Sequence, residues 1–119
     1  MKHILIIEDE ILIQQSLKKL FERMGVKVDV SASGKIAIDM ILSQNFDRII
    51  CDLMLQDISG FDVIEESKKK YSAEEIGAKF VIMTAYNSSQ VLSRANSYGC
   101  TLLNKPFDNL DEALRLMTE

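Results

Sequence analysis

A chain of 119 residues, 47% hydrophobic and 27% charged, is long enough for one packed domain and too apolar to remain disordered. Its net charge of −4 argues against direct nucleic-acid binding, which needs a basic face. With no secretory leader and no apolar run of membrane-spanning length, the sequence predicts a cytoplasmic protein, and the spacing of Cys51 and Cys100 predicts reduced thiols rather than metal ligands.

The first element, His3 to Ile7, is continuously apolar and β-branched, as suits a strand covered on both faces. Ile13, Leu17, Leu20, Phe21 and Met24 then recur at helical spacing, with polar residues between them, and Gly25 stops this first helix. Val26, Val28 and Val30 alternate with Lys27 and Asp29, the period of a half-covered edge strand. Ser33 can cap a second helix carrying Ile36, Ile38, Met40, Ile41 and Leu42. Arg48 to Cys51 reads as the third strand, Phe61 to about Tyr71 as the third helix, and Lys79 to Met83 as the fourth strand. Ser88 or Ser89 caps a fourth helix through Tyr98; a short strand near Thr101 to Leu103 and a fifth helix from Phe107 to Thr118 complete the pattern.

Strands and helices thus alternate five times without repeats or linkers, which predicts one α/β domain over residues 1–119. Its architecture is a doubly wound, flavodoxin-like parallel sheet of order 2-1-3-4-5. Ligands bind such sheets beyond the carboxyl ends of the strands, where the winding direction switches. Here that point lies between strand one, which ends at Glu8-Asp9, and strand three, which ends at Asp52. Three carboxylates converging there would repel unless a hard divalent cation joined them, and Mg²⁺ suits an oxygen-only set that also meets a phosphate. Strand four ends on Thr84, a hydroxyl, and strand five is followed by Lys105, an ammonium. An acidic nucleophile beside a hydrogen-bond donor and a point charge is equipment for phosphoryl transfer.

These residues resemble the receiver domains of two-component response regulators, the chemotaxis regulator among them. The likeness spans the chain and rests on ILIIEDE at 4–10, FDRIICDLMLQDISG at 46–60, VIMTAY at 81–86 and YGCTLLNKPF at 98–107. It implies that Asp52 is the phosphoacceptor, attacking a phosphohistidine on a histidine kinase or phosphotransfer protein. It implies further that Glu8, Asp9, Asp52 and the main-chain carbonyl of Met54 hold Mg²⁺, while Thr84 and Lys105 bind phosphoryl oxygens. Pro106 would be the family's cis proline, turning Lys105 into the crevice, and Gly60 would make a sharp turn before the third helix. Phosphorylation would draw Thr84 inward and shift the face made by the fourth helix, fifth strand and fifth helix around Leu102. A target protein or an attached output domain would read that shift. Such a protein catalyses only its own phosphotransfer and dephosphorylation and is no conventional turnover enzyme.

Some positions depart from the common pattern. Glu8 replaces an aspartate, Gln56 stands where proline is usual and predicts a less constrained loop, and Leu102 stands where an aromatic ring often serves as the lever. Bulky Met54 and Tyr86 predict slowed hydrolysis of the phosphorylated form. Two rivals use the same fold: a phosphorylation-independent pseudo-receiver acting as an interaction module, and a flavodoxin-type cofactor binder. Glu8-Asp9-Glu10 opposes the second, since it would repel a phosphate lacking metal. Lys68-Lys69-Lys70 reads as the solvated end of a helix and His3 as structural.

Overall fold

Strand β1 (His3–Ile7) sets the two-sided core. Side chains alternate across a strand, so Leu5 and Ile7 enter one cluster with Ala37, Ile41, Phe61 and Ala95. Ile4 and Ile6 enter the opposite one with Leu17, Phe21, Leu114 and Met117. The computed structural model describes residues 2–85, 88–105, 114, 115, 117 and 118. After β1 come α1 (Ile11–Arg23), β2 (Lys27–Ser31), α2 (Gly34–Ser43), β3 (Arg48–Asp52), α3 (Gly60–Ser67), α4 (Ala73–Lys79), β4 (Phe80–Thr84), α5 (Ser89–Tyr98) and β5 (Thr101–Asn104). The five strands are all parallel, in the order β2-β1-β3-β4-β5. This is the predicted doubly wound sheet, with the valine-alternating strand at an edge. Among the described residues no helix is long and apolar enough to cross a membrane.

Most predicted boundaries hold within a residue or two: Gly25 follows α1 with φ of 80°, and Ser33 caps α2 by accepting the Ile36 N–H at 3.2 Å. The region after α3 differs. The predicted third helix, running to about Tyr71, ends at Ser67, whose buried hydroxyl turns back to the Val63 carbonyl at 2.7 Å. A separate helix follows. Ser72 Oγ accepts the Glu75 N–H at 3.2 Å, and Glu75 Oε1 accepts the Ser72 N–H at 3.1 Å, a reciprocal cap that starts α4. Ile76 anchors α4 in the core, and Lys79, predicted in the strand, is its last residue. Lys70 is not merely solvated: its ammonium donates to the Ile41 carbonyl at 2.9 Å and to that of Gln44, covering the carboxyl end of α2. The fifth predicted helix lies mostly outside the described residues; Leu114, Arg115, Met117 and Thr118 are helical within it.

Register brings the strand ends level. Ile7 pairs with Cys51, Asp52 with Met83 and Thr84 with Asn104. Gly60 is required behind this rim by close approach, not by a turn: its φ is not positive, and it begins α3. A Cβ there would sit 2.8 Å from the Asp52 carbonyl oxygen and 3.1 Å from Leu53 Cα. Neither backbone atom can yield without moving the strand, so Gly60→Ala is expected to cost about 1–3 kcal/mol. A lower urea midpoint at unchanged m-value measures it.

Candidate functional site

Because Ile7 lies opposite Cys51, Glu8, the residue after β1, and Asp52, the last of β3, emerge side by side. Glu8 is fully buried and Asp52 nearly so. A hydrogen bond from the Glu8 N–H to the Ser31 carbonyl at 3.0 Å, and one from Gln14 Nε2 to the Glu8 carbonyl at 2.9 Å, fix the backbone. Asp9 follows, half-buried. One carboxylate oxygen from each of Glu8, Asp9 and Asp52 lies within 4.8 Å of the others.

Lys105 reaches this cluster from the far side of the sheet. Its N–H donates to the Thr84 carbonyl at 2.8 Å, continuing the β4–β5 ladder by one residue. Its ammonium lies 2.7 Å from Glu8 Oε1 and 3.4 Å from Asp52 Oδ2, with only 11% of the side chain exposed. Burial pushes the Glu8 carboxyl up to about 7; Lys105 pulls against that rise and the Asp52 carboxylate adds to it. Burial works against the Lys105 ammonium, but Glu8 and Asp52 outweigh it and hold its pKa above the ordinary value. Among the described residues one cation therefore serves two buried acids, and the set is short of positive charge. Thr84 is fully buried at the end of β4. Leu102, on β5 opposite Ile82, is half-buried against the α2–α3–α5 cluster. Met54 lies at the rim, 58% exposed, and its N–H points to Asp52 Oδ1 at 3.4 Å. Pro106 and Tyr86 lie outside the described residues.

A sequence model of the response regulator receiver domain matches residues 4–116. The chain belongs to the receiver family. The response regulator SaeR of Staphylococcus aureus is 31% identical over 117 residues, 98% of this chain and 49% of SaeR, so this receiver spans about half the length of that curated relative. The non-phosphorylated HemR receiver domain of Leptospira biflexa superposes with a TM-score of 0.87 at 28% identity, covering 99% of this chain and 92% of HemR. The response regulator TrrA of Thermotoga maritima, solved in complex with Mg²⁺-BeF, is 31% identical with a TM-score of 0.76, over 98% of this chain and 99% of TrrA.

The loop after the receiver's Asp52 is not loose, contrary to the expectation drawn from Gln56. The N–H of Gln56, a group proline lacks, donates to Asp9 Oδ2 at 3.0 Å. Asp57, which the sequence reading passed over, accepts from Gly34 N and Lys35 N at 3.0 Å each and from Ser33 Oγ at 2.9 Å. Met54 forms a bridge to Ser59. Ser59 Oγ accepts the Phe61 N–H, and Asp62 accepts the Ser59 N–H, each at 3.1 Å. Chiefly the Lys35 backbone N–H, joined by that of Gly34 and the Ser33 hydroxyl, holds the Asp57 carboxyl far below the usual carboxylate range. A depressed folded value stabilises above the unfolded one, near 3.8; the contribution is lost as pH falls below it. Asp57→Asn is therefore expected to flatten the acid limb of stability against pH, followed by thermal melting between pH 5 and 2, roughly the span over which such a carboxylate is protonated.

Proposed function

We propose that residues 1–119 act as one phosphoacceptor switch in which Asp52 takes a phosphoryl group from a phosphohistidine on a histidine kinase or phosphotransfer protein. An Asp52 carboxylate oxygen attacks phosphorus; a P–O bond forms as the P–N bond breaks, and the imidazole leaves with the electron pair. The observation that carries this reading is a Lys105 ammonium within 3.4 Å of Asp52 Oδ2 and 2.7 Å of Glu8 Oε1, at the open end of the sheet. A nucleophile mounted on a buried strand beside a fixed positive charge suits a reaction that depends on positioning and charge neutralisation.

Three clustered carboxylates, two of them paired with one ammonium, are an all-oxygen donor set short of positive charge, and that fits Mg²⁺. Glu8, Asp9, Asp52 and the Met54 carbonyl would hold it; when bound it neutralises carboxylate and phosphoryl charge. Lys105 pairs with one phosphoryl oxygen, and the Thr84 hydroxyl donates to another. Phosphorylation adds about two negative charges at Asp52. Drawing Thr84 toward them biases a two-state equilibrium in the face of α5 and β5 around Leu102 and in the chain that follows. The reader of that face is an output domain or a separate target protein. Self-dephosphorylation by the same residues resets the switch.

The test is to incubate the protein with acetyl phosphate and weigh it intact. The expected result is one added phosphoryl group with Mg²⁺ and none with EDTA. No adduct in either condition would favour the phosphorylation-independent pseudo-receiver. An adduct indifferent to EDTA would remove the metal from the reading.

A further inference from the structure

We propose that Asp57 is a positioning residue for the acid cluster: by fastening the 54–59 loop to the amino end of α2, it sets the Gln56 N–H against Asp9. The inference rests on the phosphoacceptor reading above and concerns how the metal-binding acids are aimed. Asp57 is exposed, yet both its carboxylate oxygens are used, Oδ1 by Gly34 N and Oδ2 by Lys35 N and Ser33 Oγ. These backbone donors belong to the first turn of α2, whose N–H groups have no partner within the helix. The receiving end is rigid. Ala37 and Ile41 bury α2 in the core, and Ser31 Oγ donates to the Ser33 carbonyl at 2.7 Å. An apolar contact backs the polar one, since Gly34 lies so close to Ile58 that a Cβ would come within 2.5 Å of Ile58 Cγ1.

The Gln56 N–H belongs to the preceding peptide, and only the φ and ψ of Gln56 separate that peptide from the one entering Asp57, so an anchored Asp57 narrows the positions the Gln56 N–H can take. That N–H is the only hydrogen-bond partner of the Asp9 carboxylate among the described residues. Glu8 and Asp52 are held by Lys105; among the described residues Asp9 is held by the loop alone. One N–H on Oδ2 orients the carboxylate and leaves Oδ1 for a cation. Partners that orient a ligand in this way commonly matter to metal affinity almost as much as the ligand itself.

A mere stabiliser of α2 would not affect Asp9, and two measurements separate the roles. In metal-free protein at neutral pH, amide exchange should show the Gln56 N–H protected, and Asp57→Ala should cut that protection by about tenfold or more. Titration with Mg²⁺, followed by amide chemical shifts, should give a Kd raised roughly tenfold in Asp57→Ala, the low end of what losing the partner that orients a metal ligand costs. Asp57→Asn, which keeps one acceptor oxygen, should fall between and serves if the alanine variant does not fold. Ser72→Ala, which removes the cap of α4 far from the site, should change neither reading. Wild-type Gln56 protection and Mg²⁺ affinity in folded Asp57 variants would overturn the proposal, as would equal effects of Ser72→Ala. If the wild-type protein binds no Mg²⁺, the metal drops out of the phosphoacceptor reading, and the exchange measurement alone then supports or overturns the positioning role.

Discussion

Asp52→Asn is expected to abolish the phosphoryl adduct formed with acetyl phosphate and Mg²⁺ while leaving the fold intact. An amide has almost the shape of the carboxylate but neither its charge nor its nucleophilic oxygen, and Asp52 ends a strand whose other residues supply the packing. The same variant should make the metal-free protein more stable at pH 8. Asp52 raises the neighbouring Glu8 pKa, so removing its charge relieves that repulsion and leaves the Lys105 ammonium, which meets Asp52 at 3.4 Å, to Glu8 at 2.7 Å. Loss of function with a gain in stability is the signature of a charge kept for chemistry, and no packing role produces it. Intact mass and urea midpoints, measured side by side, read both. An adduct of undiminished yield in Asp52→Asn would move the nucleophile to another carboxylate, Glu8 being the first to examine.

The sheet was legible because each buried strand states its own burial. Ile4 to Ile7, Ile49 to Cys51 and Val81 to Met83 are apolar without alternation and at most 2% exposed, which happens when both faces are covered. The alternating Val26, Val28 and Val30 gave away the edge. Helix α4 was legible too, and was passed over. Ser72-Ala73-Glu74-Glu75 is a capping-box pattern, but three lysines followed by Tyr71 read as the frayed end of one long helix. The local pattern named the start of α4, whereas the sequence reading carries the third helix on to about Tyr71. The Ser67 back-bond to Val63, four residues earlier in the same helix, marks where α3 ends.

The acid cluster was foreseeable for a topological reason: carboxylates that follow parallel strands must share one end of the sheet. What lay beyond sequence reasoning were partnerships between loops. Asp57 and the first turn of α2 are 22 to 24 residues apart, and nothing in either segment names the other. Gln56 misled for a related reason. Only its backbone bonds to Asp9, and a backbone donor is available to every residue except proline. Its departure from the usual residue suggested a looser loop, while the amide it supplies ties that loop to the site.

Lys105→Met is the second large effect, and its sign depends on pH. In metal-free protein the Glu8 carboxyl stands near 7 against an ordinary 4.5. Between those values the folded state holds more protons than the unfolded one, so wild-type stability should fall as pH rises across that window and level off above it. Methionine keeps the length and apolar stem of the side chain but removes the ammonium that pulls the Glu8 pKa down. Glu8 should then rise further, and the decline should extend beyond pH 7 into the range where the wild type is level. At pH 5 most of the Glu8 population is protonated in both proteins, so the variant should lie close to wild type. At pH 8.5 it should be about 2 kcal/mol less stable, below the 3–5 typical of breaking a buried pair because Glu8 can still escape by taking a proton. Urea unfolding in EDTA at several pH values measures the curve. A constant deficit at every pH would show that Lys105 acts through packing, and the electrostatic account of the crevice would then be wrong. If the deficit grows with pH and Mg²⁺ narrows it, ammonium and metal compensate the same cluster of carboxylates.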